Sequence, residues 1–250
     1  MISVEHVTKR YGATLAVDDV SFRVQRGEVV GFLGPNGAGK STVLRLLSTW
    51  LRPDAGTITV AGHDVLREPL GVRRALGYLP EHNALYETMR VDRFLAFVGR
   101  MHGLEGARLD ERRAWVVRAC QLESVLRKKI QHCSKGFRQR VGVAAALIHD
   151  PAVVQLDEPT HGLDPLQVAL FLEFVRELAA AHAVLFSTHV LSAAVAVADR
   201  LLVIHAGRIL LDAPVADVRA EAAASARTVE AELLERVRAA RRAEAAATSA

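Results

Sequence analysis

Apolar and polar positions along this chain follow two different periods. In the first quarter they alternate: Val20, Phe22 and Val24 against Ser21, Arg23 and Gln25, then Ile58 and Val60 against Thr57 and Thr59. A period of two with one polar face predicts antiparallel strands solvated on one side. Arg26-Gly27 and Asp54-Ala55-Gly56 supply turns. Later runs are apolar throughout: Val153-Val154-Gln155-Leu156, Val184-Leu185-Phe186 and Leu201-Leu202-Val203-Ile204. Such strands suit a parallel sheet covered on both faces. Gln155 interrupts the first of them and requires a buried hydrogen-bond partner. Between the two sets, residues 91–127 have helical spacing, with Phe94, Leu95, Phe97 and Val98 followed by Trp115, Val116 and Val117. This block reads as a helical subdomain, about 83–140, inserted into an α/β core.

The pattern changes again after Asp212, where Ala, Glu and Arg dominate. Val229, Leu233 and Val237 fall at i, i+4 and i+8, with Glu232 and Arg236 spaced to pair across one turn. A short amphipathic helix and a disordered Ala-rich end are expected. The division expected is residues 1–220 as one α/β unit and 221–250 as a helix and tail.

Composition narrows the classes. At 250 residues, half of them hydrophobic, the chain can bury a proper core. Cys120 and Cys133 lack metal-ligand or disulfide-framework spacing and fit a reducing cytosol. The longest apolar stretch, 183–198, is interrupted by Ser187, Thr188, His189 and Ser192, too polar to cross a bilayer. The start, Met1-Ile2-Ser3-Val4-Glu5-His6, has no signal-peptide pattern. A net charge of +4 with interspersed acids does not by itself indicate nucleic acid.

The chemistry centres on Gly34-Pro35-Asn36-Gly37-Ala38-Gly39-Lys40-Ser41-Thr42, placed directly after the apolar run Val29–Leu33. The pattern G-x-x-x-x-G-K-[ST] between a buried strand and a helix is a phosphate-binding loop. Its backbone amides turn inward around a polyphosphate, Lys40 reaches β/γ oxygens, and Ser41 is placed to ligate Mg²⁺. The following helix adds its positive end, and Pro53 is expected to terminate it. At the end of the 153–156 run stand Asp157 and Glu158. Alternation sends them in different directions, so Asp157 is the candidate to hold Mg²⁺ through water and Glu158 to orient the attacking water. Ser134, at a helix start, can cap and offer amides to an anion.

Cys133-Ser134-Lys135-Gly136-Phe137-Arg138-Gln139-Arg140 is similar to the L-S-G-G-Q signature of ATP-binding cassette (ABC) ATPases, keeping Ser134, Gly136 and the Gln139-Arg140 continuation. The resemblance covers roughly residues 2–212. It implies a P-loop NTPase (ABC ATPase) core with an N-terminal antiparallel β subdomain and an inserted helical subdomain. It also implies a head-to-tail dimer in which Ser134 and Gly136 of one subunit face the γ-phosphate of ATP held by the other. His189 matches the switch histidine at the γ-phosphate, Tyr11 the aromatic that stacks on adenine, and Leu163-Asp164-Pro165 the loop along the dimer interface. Where the family commonly has a magnesium-reaching glutamine, this chain has Glu81. The other histidines, His161 and His205 among them, are given structural roles.

The segments Gly77–Asn83 and Ser134–Arg140 most resemble the exporter branch containing drug-resistance and gliding-motility ATPases. The expectation is an ATPase using ATP and Mg²⁺, with Glu158 and His189 catalytic. It would pair with a second ABC ATPase subunit, identical or not, and with a separate transmembrane permease at the inner face of the cell membrane. The alternatives are a soluble ABC ATPase acting on ribosomes or DNA, or a degenerate cassette with a structural role, prompted by Glu81 and the altered signature.

Overall fold

The alternating strands form a small antiparallel sheet. In the computed structural model, which describes residues 1–248 and side chains as far as residue 242, β1 (Ile2–Tyr11) lies between β2 (Thr14–Val24) and β4 (Ala55–Val60), with β5 (His63–Asp64) at the edge. Val20, Phe22 and Val24 are buried while Ser21 and Arg23 face solvent. The phase resets between Val17 and Val20, where the register with β1 shifts and Asp19 adopts φ 51°. One extra residue there keeps both valines inward.

The continuous apolar runs are buried strands of a second sheet, ordered β10-β9-β3-β8-β7-β6. It comprises β3 (Val29–Leu33), β6 (Leu76–Leu79), β7 (Val153–Asp157), β8 (Ala183–Thr188) and β9 (Arg200–His205), all parallel, with β10 (Arg208–Pro214) antiparallel at one edge. Alternation explains why these strands carry apolar groups at every position. Val154, Leu156, Val184, Phe186, Leu201 and Val203 enter one core. Val153, Leu185, Leu202 and Ile204 enter another, shared with the antiparallel sheet and with Leu44 and Leu47 of α1 (Lys40–Leu47). Gln155 points into this second core, where its Nε2 donates to Leu44 O at 2.9 Å.

Helix α1 stops earlier than the proline rule predicts. Pro53 does not end it: Thr49 takes φ 63°, its N–H bonds Leu46 O, and Trp50 N–H bonds Arg45 O. These two bonds close a left-handed cap that satisfies the final carbonyls four residues before the proline.

After α2 (Pro69–Ala75) and β6, the helical block is broken rather than continuous. It contains α3 (Val91–Met101), α4 (Gly106–Ala119), two single 3₁₀ turns and α5 (Lys135–Leu147), which returns the chain to β7. Gly103 at φ 79° makes the turn between α3 and α4. Phe97 lies on the open side of α3, edge-on to Tyr86 at 5.5 Å, so it is not a core position. The remaining helices are α6 (Pro165–Ala179), α7 (Leu191–Val197), α8 (Val215–Ala224) and α9 (Val229–Thr248).

The last two helices depart most from the sequence expectation. An additional helix, α8, precedes the amphipathic one, and position 220/221 falls within it. Leu233 is buried, with Val229 and Val237 packed on the same core, as the i, i+4, i+8 spacing implies. Glu232 and Arg236, however, do not pair with each other. Glu232 accepts from Ser225 Oγ at 3.0 Å and Arg227 at 3.4 Å, and Arg236 Nε donates to Glu221 at 2.7 Å. The seam between α8 and α9 offers both side chains partners that a single exposed helix lacks. Helix α9 covers most of the Ala-rich stretch, and the rest of the end expected to be disordered lies outside the described residues.

Beside β6, the rings of His102 and His149 stack at 3.7 Å and 7°. His149 Nε2 contacts Leu76 O at 3.2 Å, while its buried Nδ1 has no partner. Burial, with smaller contributions from His102 and Arg112, pushes its pKa down to about 4. The unfolded chain takes up this proton below about 6.5, the folded chain only near 4. The stability carried by the neutral ring is therefore whole above pH 6.5 and is lost as pH falls towards 4, about 3 kcal/mol in all. Urea unfolding at pH 7 and pH 4.5 should show a drop that His149→Gln reduces by that order. An equal drop in both proteins would refute the assignment.

Candidate functional site

The carboxyl ends of four neighbouring parallel strands converge. The phosphate loop follows β3, His189 follows β8, Glu158 follows β7, and Pro80-Glu81 follow β6. In a parallel sheet the loops after the strands share one edge, which is where such folds bind ligands.

The phosphate loop is held by close backbone approaches that only glycine allows. A Cβ on Gly34 would lie 2.5 Å from Ile204 O, and one on Gly39, which has φ 109°, 2.5 Å from Ala16 O. Gly207 N–H donates to Ala38 O at 2.9 Å, tying the loop to the β9–β10 turn. Lys40 is only 6% exposed. Its Nζ donates to Gly34 O at 2.6 Å and Pro35 O at 3.2 Å, and stands 3.7 Å from Glu158 Oε1.

A cavity of about 290 Å³ opens on this loop. Residues 35–37 and 39–42 line it with Glu81, Glu158 and His189. Two further residues of the wall were not anticipated, Ala16 and His161. Ala16 arrives through the docking of β2 against the loop, which no local pattern announces. His161 was given only a structural role. It belongs to the wall because its N–H bonds Glu158 O at 3.1 Å, folding the chain back over the carboxylate within three residues.

Asp157 lies just behind the wall and is 3% exposed. Burial raises its pKa, and the charges of Glu81 and Glu158 add to that, while hydrogen bonds from the Ser187 and Ser41 hydroxyls oppose it. Ser187 Oγ donates to Asp157 Oδ1 at 2.6 Å and accepts from Glu158 N–H at 3.0 Å, so one hydroxyl holds both neighbours. Glu158 adopts φ 47°, uncommon for a side chain of its size. Its Oε2 is 3.0 Å from His189 Nδ1, and its Oε1 is buried with no hydrogen bond. In the tautomer with hydrogen on Nδ1, His189 donates to Glu158 Oε2, a bond that orients the imidazole.

The oxygens here suit a hard cation. Among the described residues no group of three His, Cys, Asp or Glu side chains could hold a metal alone. Ser41, Asp157 and Glu81 are hard oxygen donors, and magnesium completes its shell with phosphate oxygens and water. The orphaned Oε1 of Glu158 adds an acceptor for a bound water.

Other sequence candidates lie elsewhere. Tyr11, 46% exposed, pairs with Thr14 at the end of the β1–β2 hairpin, outside the cavity wall. Ser134 and Gly136 are also outside it. Ser134 caps α5, its Oγ accepting from Phe137 N–H at 3.3 Å, and Gly136 lies under the Gln167 side chain.

Comparison with known proteins bears on this geometry. Residues 17–161 match the family model described as ABC transporter. The chain is 43% identical over 221 residues to a daunorubicin resistance ATP-binding protein of Streptomyces coeruleorubidus, covering 88% of this chain and 70% of that one. It is 38% identical over 197 residues to the ABC transporter ATP-binding protein NatA of Bacillus subtilis (strain 168), covering 78% and 80%. Among solved structures, one described as the ATP binding subunit of an ABC transporter superposes with a TM-score of 0.84 at 31% identity, over 94% of this chain and 99% of that one.

Proposed function

The chain belongs to the ABC transporter family, and from that premise we propose that it powers an exporter whose membrane-spanning part is a separate permease. It is an ATP-binding and ATP-hydrolysing subunit of that family. No helix among the described residues is long and apolar enough to cross a membrane. The relative named for daunorubicin resistance supports export, and this subunit would sit at the inner face of the membrane on its permease.

One observation carries the mechanism: Lys40, Ser41, Glu158 and His189 share a cavity from which Ser134 and Gly136 are absent. A signature outside its own chain's site is free to complete a neighbour's. The partner proposed is a second ABC ATPase subunit arranged head to tail, with ATP between each phosphate loop and the opposing Ser134. In this reading residues 34–42 hold the phosphates and Tyr11 offers adenine a stacking face. Ser41, Glu81 and Asp157 would hold magnesium, which when bound would neutralise phosphate charge. Glu158 orients and deprotonates the attacking water, and His189 meets the γ-phosphate. Glu81 adds a further carboxylate to the cavity wall, a charge that bound magnesium would offset.

Purification from membranes tests the reading. A multi-spanning partner should accompany the chain, and the assembly should turn over ATP. Stable association with ribosomes or DNA instead, or an assembly without turnover, would contradict it.

A further inference from the structure

The first turn of α5, which carries the signature, rests on the turn that carries Glu158. Gln139 Nε2 donates to Pro159 O at 3.0 Å in a partly buried position. Beside it, the Lys135 side chain crosses Gly162 so closely that a Cβ there would meet Nζ, and Gln167 at the start of α6 covers Gly136. The neighbouring residues of α5 are tied in other directions: Asn83 Nδ2 donates to Arg138 O at 3.2 Å and Arg140 to Gln121 Oε1 at 2.9 Å. Gln139 alone among these three faces the catalytic turn.

That turn is held on both sides of Glu158. Its own N–H is fixed from β8 by Ser187 Oγ, and the next carbonyl, Pro159 O, is fixed from α5 by Gln139. Between these bonds Glu158 adopts its left-handed backbone conformation, which persists only where the surroundings enforce it.

We propose that Gln139 is a positioning residue linking the signature end of α5 to Glu158 of the same chain, so that docking of the signature on a partner's nucleotide sets this chain's own hydrolytic carboxylate. The inference rests on the head-to-tail pairing above. In that pairing each chain's signature serves one site and its Glu158 the other, and the Gln139 amide is a physical connection between the two. The link needs an N–H donor directed at a carbonyl. A side chain of the same length without a donor breaks it, and a different side chain with a donor restores it.

The test uses the complete transporter assembly. Gln139→Glu keeps the length and loses the donor; Gln139→Lys supplies a different donor. We expect Gln139→Glu to lower kcat about 10-fold with KM for ATP little changed, and to bring the Hill coefficient for ATP towards one. Gln139→Lys should recover turnover to within about 3-fold of the parent. Should the carboxylate prevent folding, Gln139→Met provides the donor-free variant of similar length. ATP-driven pairing, measured by sedimentation, should persist in the donor-free variant. Parental kcat and Hill coefficient without the donor, or equal impairment of the Lys and donor-free variants, would overturn the role of Gln139 while leaving the pairing intact. Failure of the parent itself to pair with ATP would overturn both.

Discussion

Lys40→Ala is expected to abolish useful ATP binding. The ammonium is buried at the head of α1, donates to two carbonyls of its own loop and faces Glu158 at 3.7 Å. It is the Lys or Arg side chain of the described cavity wall, which also carries the carboxylates of Glu81 and Glu158. Without it a polyphosphate would meet two carboxylates with no opposing side-chain cation. Truncating one side of a buried charge contact costs roughly 2–5 kcal/mol, and each 1.4 kcal/mol is a factor of ten. Fluorescent-nucleotide titration should therefore show affinity falling by about 30-fold or more. Retained affinity in a folded Lys40→Ala protein would remove the loop from the nucleotide site.

Glu158→Gln should separate binding from chemistry. Glutamine keeps the shape of the side chain and an oxygen to accept from His189 Nδ1, the contact that lies at 3.0 Å. What it loses is the charge and the capacity to take a proton from water. General-base contributions are about 10²–10⁴-fold, so turnover should fall within that range while ATP affinity stays close to the parent's. Stability should fall, because Lys40 Nζ stands 3.7 Å from Glu158 Oε1 and neutralising the carboxylate leaves that buried ammonium without its opposing charge. Unchanged turnover would refute Glu158 as the base.

Much of this was legible locally. The loop 34–42, the pair Asp157-Glu158 and the strand ends that carry them depend on neighbours in sequence, as does the inward alternation of Val20, Phe22 and Val24. Even the need of Gln155 for a partner could be read, though not that the partner is Leu44 O, 111 positions away. The illegible parts depend on distant segments. Ala16 reaches the cavity through the packing of one sheet on the other, and Glu232 abandons Arg236 because α8 presents Ser225 and Arg227. Thr49 displaces Pro53 as the helix stop through backbone bonds that a residue type does not encode, since β-branched side chains seldom take that conformation. His161 had a local signal that went unused, its position three residues beyond a carboxylate at a strand end.

Ser134→Ala tests directly whether the signature completes a site on another chain. ATP affinity would be measured on the isolated variant, and ATP turnover on the transporter assembly rebuilt with it. Affinity should be unchanged, since Ser134 lies outside the cavity formed by its own phosphate loop, while turnover should be lost. Weakened binding in the isolated chain, or full turnover in the assembly, would contradict completion of a partner's site.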